Sequence, residues 1–200
     1  MKTKPVRSND PAPTKKKLLL PLFLAGILLL STFAIIFSGP SQQDIASSYK
    51  YKDSTFRLTA QGWESTVQGQ PLVLSNGPQA LETLSTTFPF SSATSLLGLQ
   101  KIYLSSMPPE PVQEALRELY LNSNILAPVT LSCVADVAGC EELPIKTCTD
   151  ATATVGVVLF RLGEQESMTV DKTCITLIAN TTASLTQMTD TLIYSLYGVF

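Results

Sequence analysis

Apolar and polar positions along the chain first separate one long apolar run from the rest. The run begins at Leu18 and ends at Phe37, contains no charged residue, and follows three consecutive lysines. A helix rises about 1.5 Å per residue, so about twenty apolar residues are needed to cross a hydrocarbon core of about 30 Å. The pattern predicts a transmembrane helix over residues 15–38. The alternative is a cleaved signal peptide, although such apolar regions usually span only about 7 to 15 residues.

The basic residues predict how this helix is oriented in the bilayer. Six of them precede the apolar run, and Lys50 is the first to follow it. Positively charged flanks stay in the cytoplasm. We therefore expect a single-pass protein of the cell membrane, with a disordered basic cytoplasmic tail over residues 1–14, a stalk over 39–48 and an extracytoplasmic domain over 49–200. The lipid bilayer is then one partner of the chain.

The expected domain begins with a strand pattern. Residues 49–59 alternate polar and apolar side chains, and residues 71–75 form a short apolar run. Together they predict a β-hairpin with a loop around Gly62, Trp63 and Gly69. We expect Trp63 to pack against the core.

The middle of the domain alternates helix and strand patterns. Pro78 opens a helical pattern behind Ser75 and Asn76, which are candidate capping residues. The segments that follow are a strand over 99–105, a helix with its apolar stripe at Val112, Ala115, Leu116, Leu119 and Tyr120, and a strand over 129–133. This β-α-β-α-β order favours parallel strands with helices packed on the sheet.

The last third predicts three more strands and a closing helix. The strands cover residues 144–148, 154–162 and 168–178, and we expect a bend at Asp171 and Lys172 to interrupt the third strand. We expect the last two strands to be antiparallel neighbours. The helix covers 182–197, and its apolar stripe, which we expect to be core, is Leu185, Met188, Leu192 and Leu196. The fold class is therefore α/β or α+β, a single mixed-sheet domain with about three helices packed on it.

The net charge of the expected domain limits the classes of molecule that it can bind. Residues 1–40 hold six of the 14 basic residues and one of the 16 acidic residues, so residues 41–200 have a net charge of −7. Nucleic-acid binding requires a basic patch or stripe. We therefore expect no nucleic-acid partner.

The four cysteines all lie in the expected domain, where oxidation is the expected state. Cys148 and Cys174 lie on segments that both adjoin the strand over 154–162, while Cys133 and Cys140 flank a short loop. These positions favour Cys133–Cys140 and Cys148–Cys174 among the three possible pairings. The spacing C-x6-C-x7-C-x25-C does not match structural zinc, and a redox C-x-x-C is absent. We expect no metal site and no cofactor.

The absence of histidine excludes several classes of enzyme. A chain without histidine cannot form Ser-His-Asp triads, Cys-His dyads or most catalytic zinc sites. Phosphate-binding glycine motifs and G-x-S-x-G are also missing. Glu141, Glu142 and Asp150 cluster near the cysteines, where they could bind a hard cation or serve carboxylate chemistry. A solvated acidic loop is the favoured interpretation.

Asn180 opens an Asn-Thr-Thr sequence that matches the N-glycosylation acceptor. The same position precedes the closing helix, so Asn180 or Thr182 could instead cap that helix. Possible glycosylation at Asn180 and helix capping therefore remain as two alternatives.

Four sequence patterns together resemble a known group of proteins. They are Y-x-x-x-x-F-x-L-x-x-x-G-W from Tyr51, L-P-I-K-T-C-T-D-A-T from Leu143, C-I-T-L-I-A-N from Cys174 and D-T-L-I-Y-S-L-Y-G-V from Asp190. The composite resembles uncharacterised membrane-anchored archaeal proteins with a small extracytoplasmic disulfide-containing domain. The resemblance supports Cys148 and Cys174 as a pair, and implies no activity, cofactor or catalytic residue.

Two classes of function follow from these patterns. An anchor, a stalk, a disulfide-containing domain and no catalytic motif favour a non-enzymatic module that binds or scaffolds an envelope protein, or a small subunit of an envelope complex. The alternative is an extracytoplasmic carboxylate-dependent enzyme, which requires Glu141, Glu142 or Asp150 to line a pocket. A thiol-disulfide protein is the third hypothesis, and it requires a solvent-accessible Cys133–Cys140 bond.

Overall fold

The computed structural model describes residues 48–200. The predicted tail over 1–14, the transmembrane helix over 15–38 and most of the stalk lie outside the described residues. No helix within 48–200 is both long enough and apolar enough to cross a membrane.

The strands are β1 Ser48–Tyr51, β2 Ser54–Thr59, β3 Gly62–Val67, β4 Gln70–Leu74, β5 Lys101–Ser106, β6 Val129–Cys133, β7 Val155–Leu162, β8 Ser167–Asp171 and β9 Cys174–Ala179. The α-helices are α1 Pro78–Thr87, α2 Gln113–Leu121 and α3 Thr182–Leu196, and short 3-10 helices cover Phe90–Leu96 and Cys148–Asp150.

The first four strands form an antiparallel sheet in the order β1-β2-β3-β4. Tight turns connect them, and Lys52, Gln68 and Gly69 have positive φ angles at two of these turns. The predicted single hairpin was therefore wrong, because Gly62 and Trp63 lie in β3 rather than in a loop. Trp63 does pack against the hydrophobic core, as predicted.

The second sheet has five strands in the order β6-β5-β7-β9-β8. Strands β5, β6, β7 and β9 pair in parallel, and β8 is an antiparallel edge strand. The parallel β5-α2-β6 unit confirms part of the predicted alternation. Since β4 belongs to the other sheet, the expected single mixed sheet is replaced by two sheets in a mixed α/β domain.

Two strand predictions in the last third were wrong. The interruption expected at Asp171 and Lys172 is present, but the chain reverses there, with φ of 54° at Lys172, so residues 168–178 belong to two strands, β8 and β9. The resulting β9 pairs in parallel with β7, so the predicted antiparallel pair does not form. Residues 144–148 contribute only an isolated bridge between Ile145 and Cys133 before the short 3-10 helix begins.

Helix α3 lies at the centre of the fold and is buried on more than one side. Its predicted apolar stripe is buried as expected, but Thr189, Asp190 and Thr191 on its remaining surface are also fully buried. The first sheet approaches this helix at Tyr194, whose ring lies 5.7 Å from the ring of Phe56. Polar side chains can be buried here because Thr189 and Thr191 donate hydrogen bonds to carbonyl oxygens one turn earlier in α3.

The segment between β6 and β7 packs on the face of the second sheet that the helices leave open. The ammonium group of Lys146 lies 5.4 Å from the centre of the Tyr103 ring. Ser105 Oγ on β5 donates a hydrogen bond of 2.8 Å to the carbonyl oxygen of Lys146. This segment also holds Cys140 and Cys148, whose disulfide partners Cys133 and Cys174 lie in strands β6 and β9, so both bonds fasten the segment to the second sheet.

Candidate binding surface around helix α2

Two disulfides are present, and their pairing is the one favoured by the sequence. Cys133 is bonded to Cys140, and Cys148 is bonded to Cys174. Cys133 and Cys140 are only 1% and 2% exposed. The hypothesis of a thiol-disulfide protein required the Cys133–Cys140 bond to be accessible to solvent. This requirement is not met, because both cysteines are buried. Cys148 is the exposed cysteine of the second bond.

The carboxylates that the sequence singled out lie at the surface of the domain. Glu141 and Glu142 are exposed to solvent. The pKa of the Glu141 carboxyl is lowered by hydrogen bonds from its own backbone N–H and from that of Gly139. The pKa of the Asp150 carboxyl is lowered by the backbone N–H of Thr147 and then by the neighbouring Lys146. These contacts order a surface loop and a short helix.

Helix α2 presents an unusual distribution of side chains. Tyr120, which the sequence placed on the apolar stripe, is 51% exposed, and the neighbouring Leu121 is 55% exposed. Glu118 is instead buried, with 7% exposure. A surface helix usually buries its apolar side chains and exposes its charged ones, and these three residues of α2 do the opposite. Two concave surfaces flank α2, one apolar and one polar.

The apolar concavity lies between α2 and the edge strand β6, and we call it the apolar pocket. It has a volume of about 270 Å³ and is lined by Gln113, Leu116, Arg117, Tyr120 and Leu131. Leu131 is paired with the buried core residue Leu104, yet 42% of its side chain is exposed because β6 is the last strand of the sheet. The helix therefore covers this end of the sheet incompletely.

The outer edge of β6 also offers backbone groups. The N–H and C=O of Cys133 point away from β5, to Pro144 and Lys146. Backbone direction alternates along a strand, so the N–H and C=O of Val129 and Leu131 point outward as well. Within residues 48–200, no strand pairs with β6 on this side. Unpaired strand edges are templates for adding another strand.

The polar concavity lies between α2 and the first sheet, and we call it the polar groove. Its volume is about 620 Å³, and Glu118 is among the residues that line it. Glu118 Oε1 accepts a hydrogen bond of 2.9 Å from the backbone N–H of Ser75 and another from the Ser75 hydroxyl. Asn122 fastens the same end of α2 to β4, since its amide bonds both the N–H and the C=O of Val73.

A second buried carboxyl, Asp190 of α3, lies behind this groove. It is 0% exposed, and its Oδ2 accepts hydrogen bonds of 2.8 Å from both the backbone N–H and the side-chain amide of Asn76. Its Oδ1 has no hydrogen-bond partner among residues 48–200. Burial, followed by the charge of Glu118, raises the pKa of Asp190 to about 8. Asp190 is therefore protonated at neutral pH.

The expected capping role of Ser75 and Asn76 was wrong. Gly77 occupies the N-cap of α1, without a side-chain hydrogen bond. Ser75 and Asn76 instead donate to Glu118 and Asp190, which lie 43 and 114 residues away in the chain. Sequence reasoning missed both carboxyls because neither has a local signal. The one available hint was an acidic residue beside the apolar positions of each helix.

The described residues contain no group of three or more Asp, Glu or Cys side chains arranged to hold a metal ion. Asn180 is exposed at the turn before α3, and Thr181 rather than Asn180 or Thr182 caps the helix by accepting a hydrogen bond from the Ser184 N–H. Both capping candidates of the sequence were therefore wrong. Glycosylation of Asn180 stays a prediction.

Comparisons with known proteins identify no relative. No family model, no curated protein and no solved structure matches the chain. Functional inference therefore depends on the surface around α2.

Proposed function

We propose that this protein is a single-pass, membrane-anchored extracytoplasmic module that binds another envelope protein and has no enzymatic activity of its own. The observation that carries this proposal is the apolar pocket beside the outward-facing backbone groups of Val129 and Leu131 on the edge of β6. An apolar side chain of a partner fits the pocket between Tyr120 and Leu131. The neighbouring N–H and C=O groups of β6 would pair with the backbone of the same partner segment.

The proposed occupant is an extended segment of another protein. An extended chain matches the backbone spacing along β6 and presents alternate side chains to the helix side of the sheet. Ile145 is paired with Cys133, so it lies on the same side as Leu131, and it is 40% exposed. Residues 144–146 occupy the Cys133 end of the edge, so the partner segment would pair with Val129 and Leu131, and Ile145 would add an apolar contact at the end of that segment.

The test is site-specific photocrosslinking in the native cells. A photoreactive phenylalanine analogue replaces Tyr120 in the full chain, and the matched control replaces Leu58, which is 43% exposed on β2. We expect a discrete adduct with one envelope protein from position 120 and none from position 58. Leu131→Arg, at the other wall of the pocket, should abolish the adduct.

Three outcomes would overturn the proposal. They are the absence of an adduct at position 120, equal adducts at both positions, and an adduct of the chain with itself. The last outcome would identify a second copy as the occupant of the edge. Mass spectrometry of the purified adduct distinguishes a second copy from another protein.

A further inference from the structure

The polar groove on the other flank of α2 contains a carboxylate that no cation of the described chain neutralises. Glu118 is more than nine-tenths buried, and Ser75 supplies both of the hydrogen bonds to its Oε1. Its Oε2 is not one of the fully buried atoms without a hydrogen-bond partner among residues 48–200, so this oxygen is open to the groove. Burying a charged carboxylate is unfavourable unless the charge is paired and hydrogen-bonded.

The side chains around Glu118 increase the negative character of the groove. Glu114 lies one turn earlier in α2 and also lines it, together with the polar side chains of Gln61 and Asn124. The one cation among the lining residues, Arg117, is largely exposed and lies 3.6 Å from Glu114. Arg117 is therefore at the rim and pairs with Glu114 rather than with Glu118.

Asp190 does not relieve the charge of Glu118. It lies behind Glu118, is fully buried, and is held by Asn76. A carboxyl in that position adds no positive charge, and any ionisation of Asp190 would add repulsion. The groove therefore combines an accessible volume of ligand size with an uncompensated negative charge at its wall.

We propose that the polar groove is a binding site for a cationic nitrogen group, a protonated amine or a guanidinium, whose N–H groups donate to Glu118 Oε2. Hydrogen bonds between charged partners are shorter and stronger than neutral ones, so the bound cation offsets the burial of the carboxylate. Such a group can belong to a lysine or arginine side chain of a protein, or to a free polyamine. The site shares only Arg117 with the apolar pocket, so it stands independently of the docking proposed above.

The experiment titrates the full chain in detergent micelles with three probes, followed by NMR of the Ser75 backbone amide. N-acetyl-arginine amide represents a protein side chain, spermidine represents a free polyamine, and N-acetyl-citrulline amide is the neutral analogue of the first. We expect a saturable shift with at least one of the cationic probes and a dissociation constant at least about tenfold higher for citrulline. Saturation by capped arginine alone assigns a protein side chain, and saturation by spermidine alone assigns a polyamine.

Glu118→Gln tests the carboxylate, because a glutamine oxygen can still accept from Ser75. The dissociation constant should rise about tenfold or more in this variant. The exposed Glu164→Gln makes the same charge change elsewhere and should alter binding less than about twofold. If Glu118→Gln fails to fold, Glu114→Gln at the exposed rim should weaken binding by about two- to threefold. No saturable shift with either cation, equal binding of citrulline, or binding that is unaffected by these two groove variants would overturn the proposal.

Discussion

Asp190→Asn should stabilise the protein at neutral pH and remove part of the dependence of its stability on pH. The substitution keeps the size of the side chain and an oxygen that can accept both hydrogen bonds from Asn76. It removes the ionisable group, which is fully buried beside Glu118. The unpaired position at Oδ1 would hold an amide NH₂ in place of a carboxyl OH, so the number of unpaired polar groups is unchanged.

The magnitude follows from the pKa of Asp190 in the folded and unfolded chain. The pKa is raised from 3.8 to about 8 by burial and by the charge of Glu118. Between these values the folded state binds more protons than the unfolded state, so the free energy of unfolding decreases as pH rises. No penalty exists below pH 3.8, and it is complete above about pH 8. At pH 7 the penalty is about 4 kcal/mol, since each pKa unit corresponds to about 1.4 kcal/mol.

The assay is urea denaturation of the full chain in detergent from pH 4 to pH 9, followed by the fluorescence of Trp63, the only tryptophan. We expect the two proteins to be similar at pH 4 and the variant to be more stable by about 4 kcal/mol at pH 7. The lowered pKa values of Glu141 and Asp150 give an opposite slope in acid, and they cancel in the difference between the proteins.

Asp136→Asn is the matched control, because Asp136 is exposed in the loop after β6. Its free energy of unfolding should differ from that of the wild type by less than about 0.5 kcal/mol at every pH. A difference between Asp190→Asn and the wild type that does not change with pH would refute the reasoning. The reasoning would also be refuted if the free energy of unfolding of Asp190→Asn fell between pH 4 and pH 7 by as much as that of the wild type.

Three further predictions concern other parts of the domain. Mild reductant should open the disulfide at the exposed Cys148 before the buried Cys133–Cys140 bond, as read by alkylation and mass spectrometry; first opening of the buried bond would contradict this. Gly77→Ala should lower the free energy of unfolding by about 1 to 3 kcal/mol. The added Cβ would lie 2.6 Å from the Tyr49 hydroxyl and 3.1 Å from the Trp63 ring, so unchanged tryptophan fluorescence and stability would refute the clash. Asn180→Gln should increase electrophoretic mobility of the protein from its native host, and unchanged mobility would show that Asn180 carries no glycan.

Local sequence patterns were sufficient to predict those parts of the structure that depend on residues close together in the chain. The helical periodicity of α1, α2 and α3 and the strand of residues 129–133 were predicted with nearly the observed bounds. The parallel pairing of β5 and β6 followed from the helix between them, since parallel strands require a crossover. The cysteine pairing was also correct, because each disulfide joins segments whose positions relative to a strand or loop could be inferred.

The same reasoning gave wrong predictions at the α2 surface, because the contacts there join segments that are far apart in the chain. Ser75 and Asn76 match the local signature of a helix cap. In the folded chain, α2 and α3 lie close to them, and their N–H groups donate to the buried carboxyls of Glu118 and Asp190 instead. Similarly, Asp190 belongs to the polar part of α3, which a single sheet would leave in solvent. The first sheet covers that part of the helix, so the carboxyl is buried and its pKa rises.

The sequence by itself determined the apolar run, the acidic character of residues 41–200, most helices and strands, and the favoured disulfide pairing. These features depend on residues close together in the chain or on composition. The tertiary structure alone decided that there are two sheets, that β6 ends one of them with the backbone groups of Val129 and Leu131 facing outward, and that Glu118 and Asp190 are buried. Those features depend on contacts between segments as far apart as 114 residues, and burial and hydrogen-bond partners exist only once such segments meet.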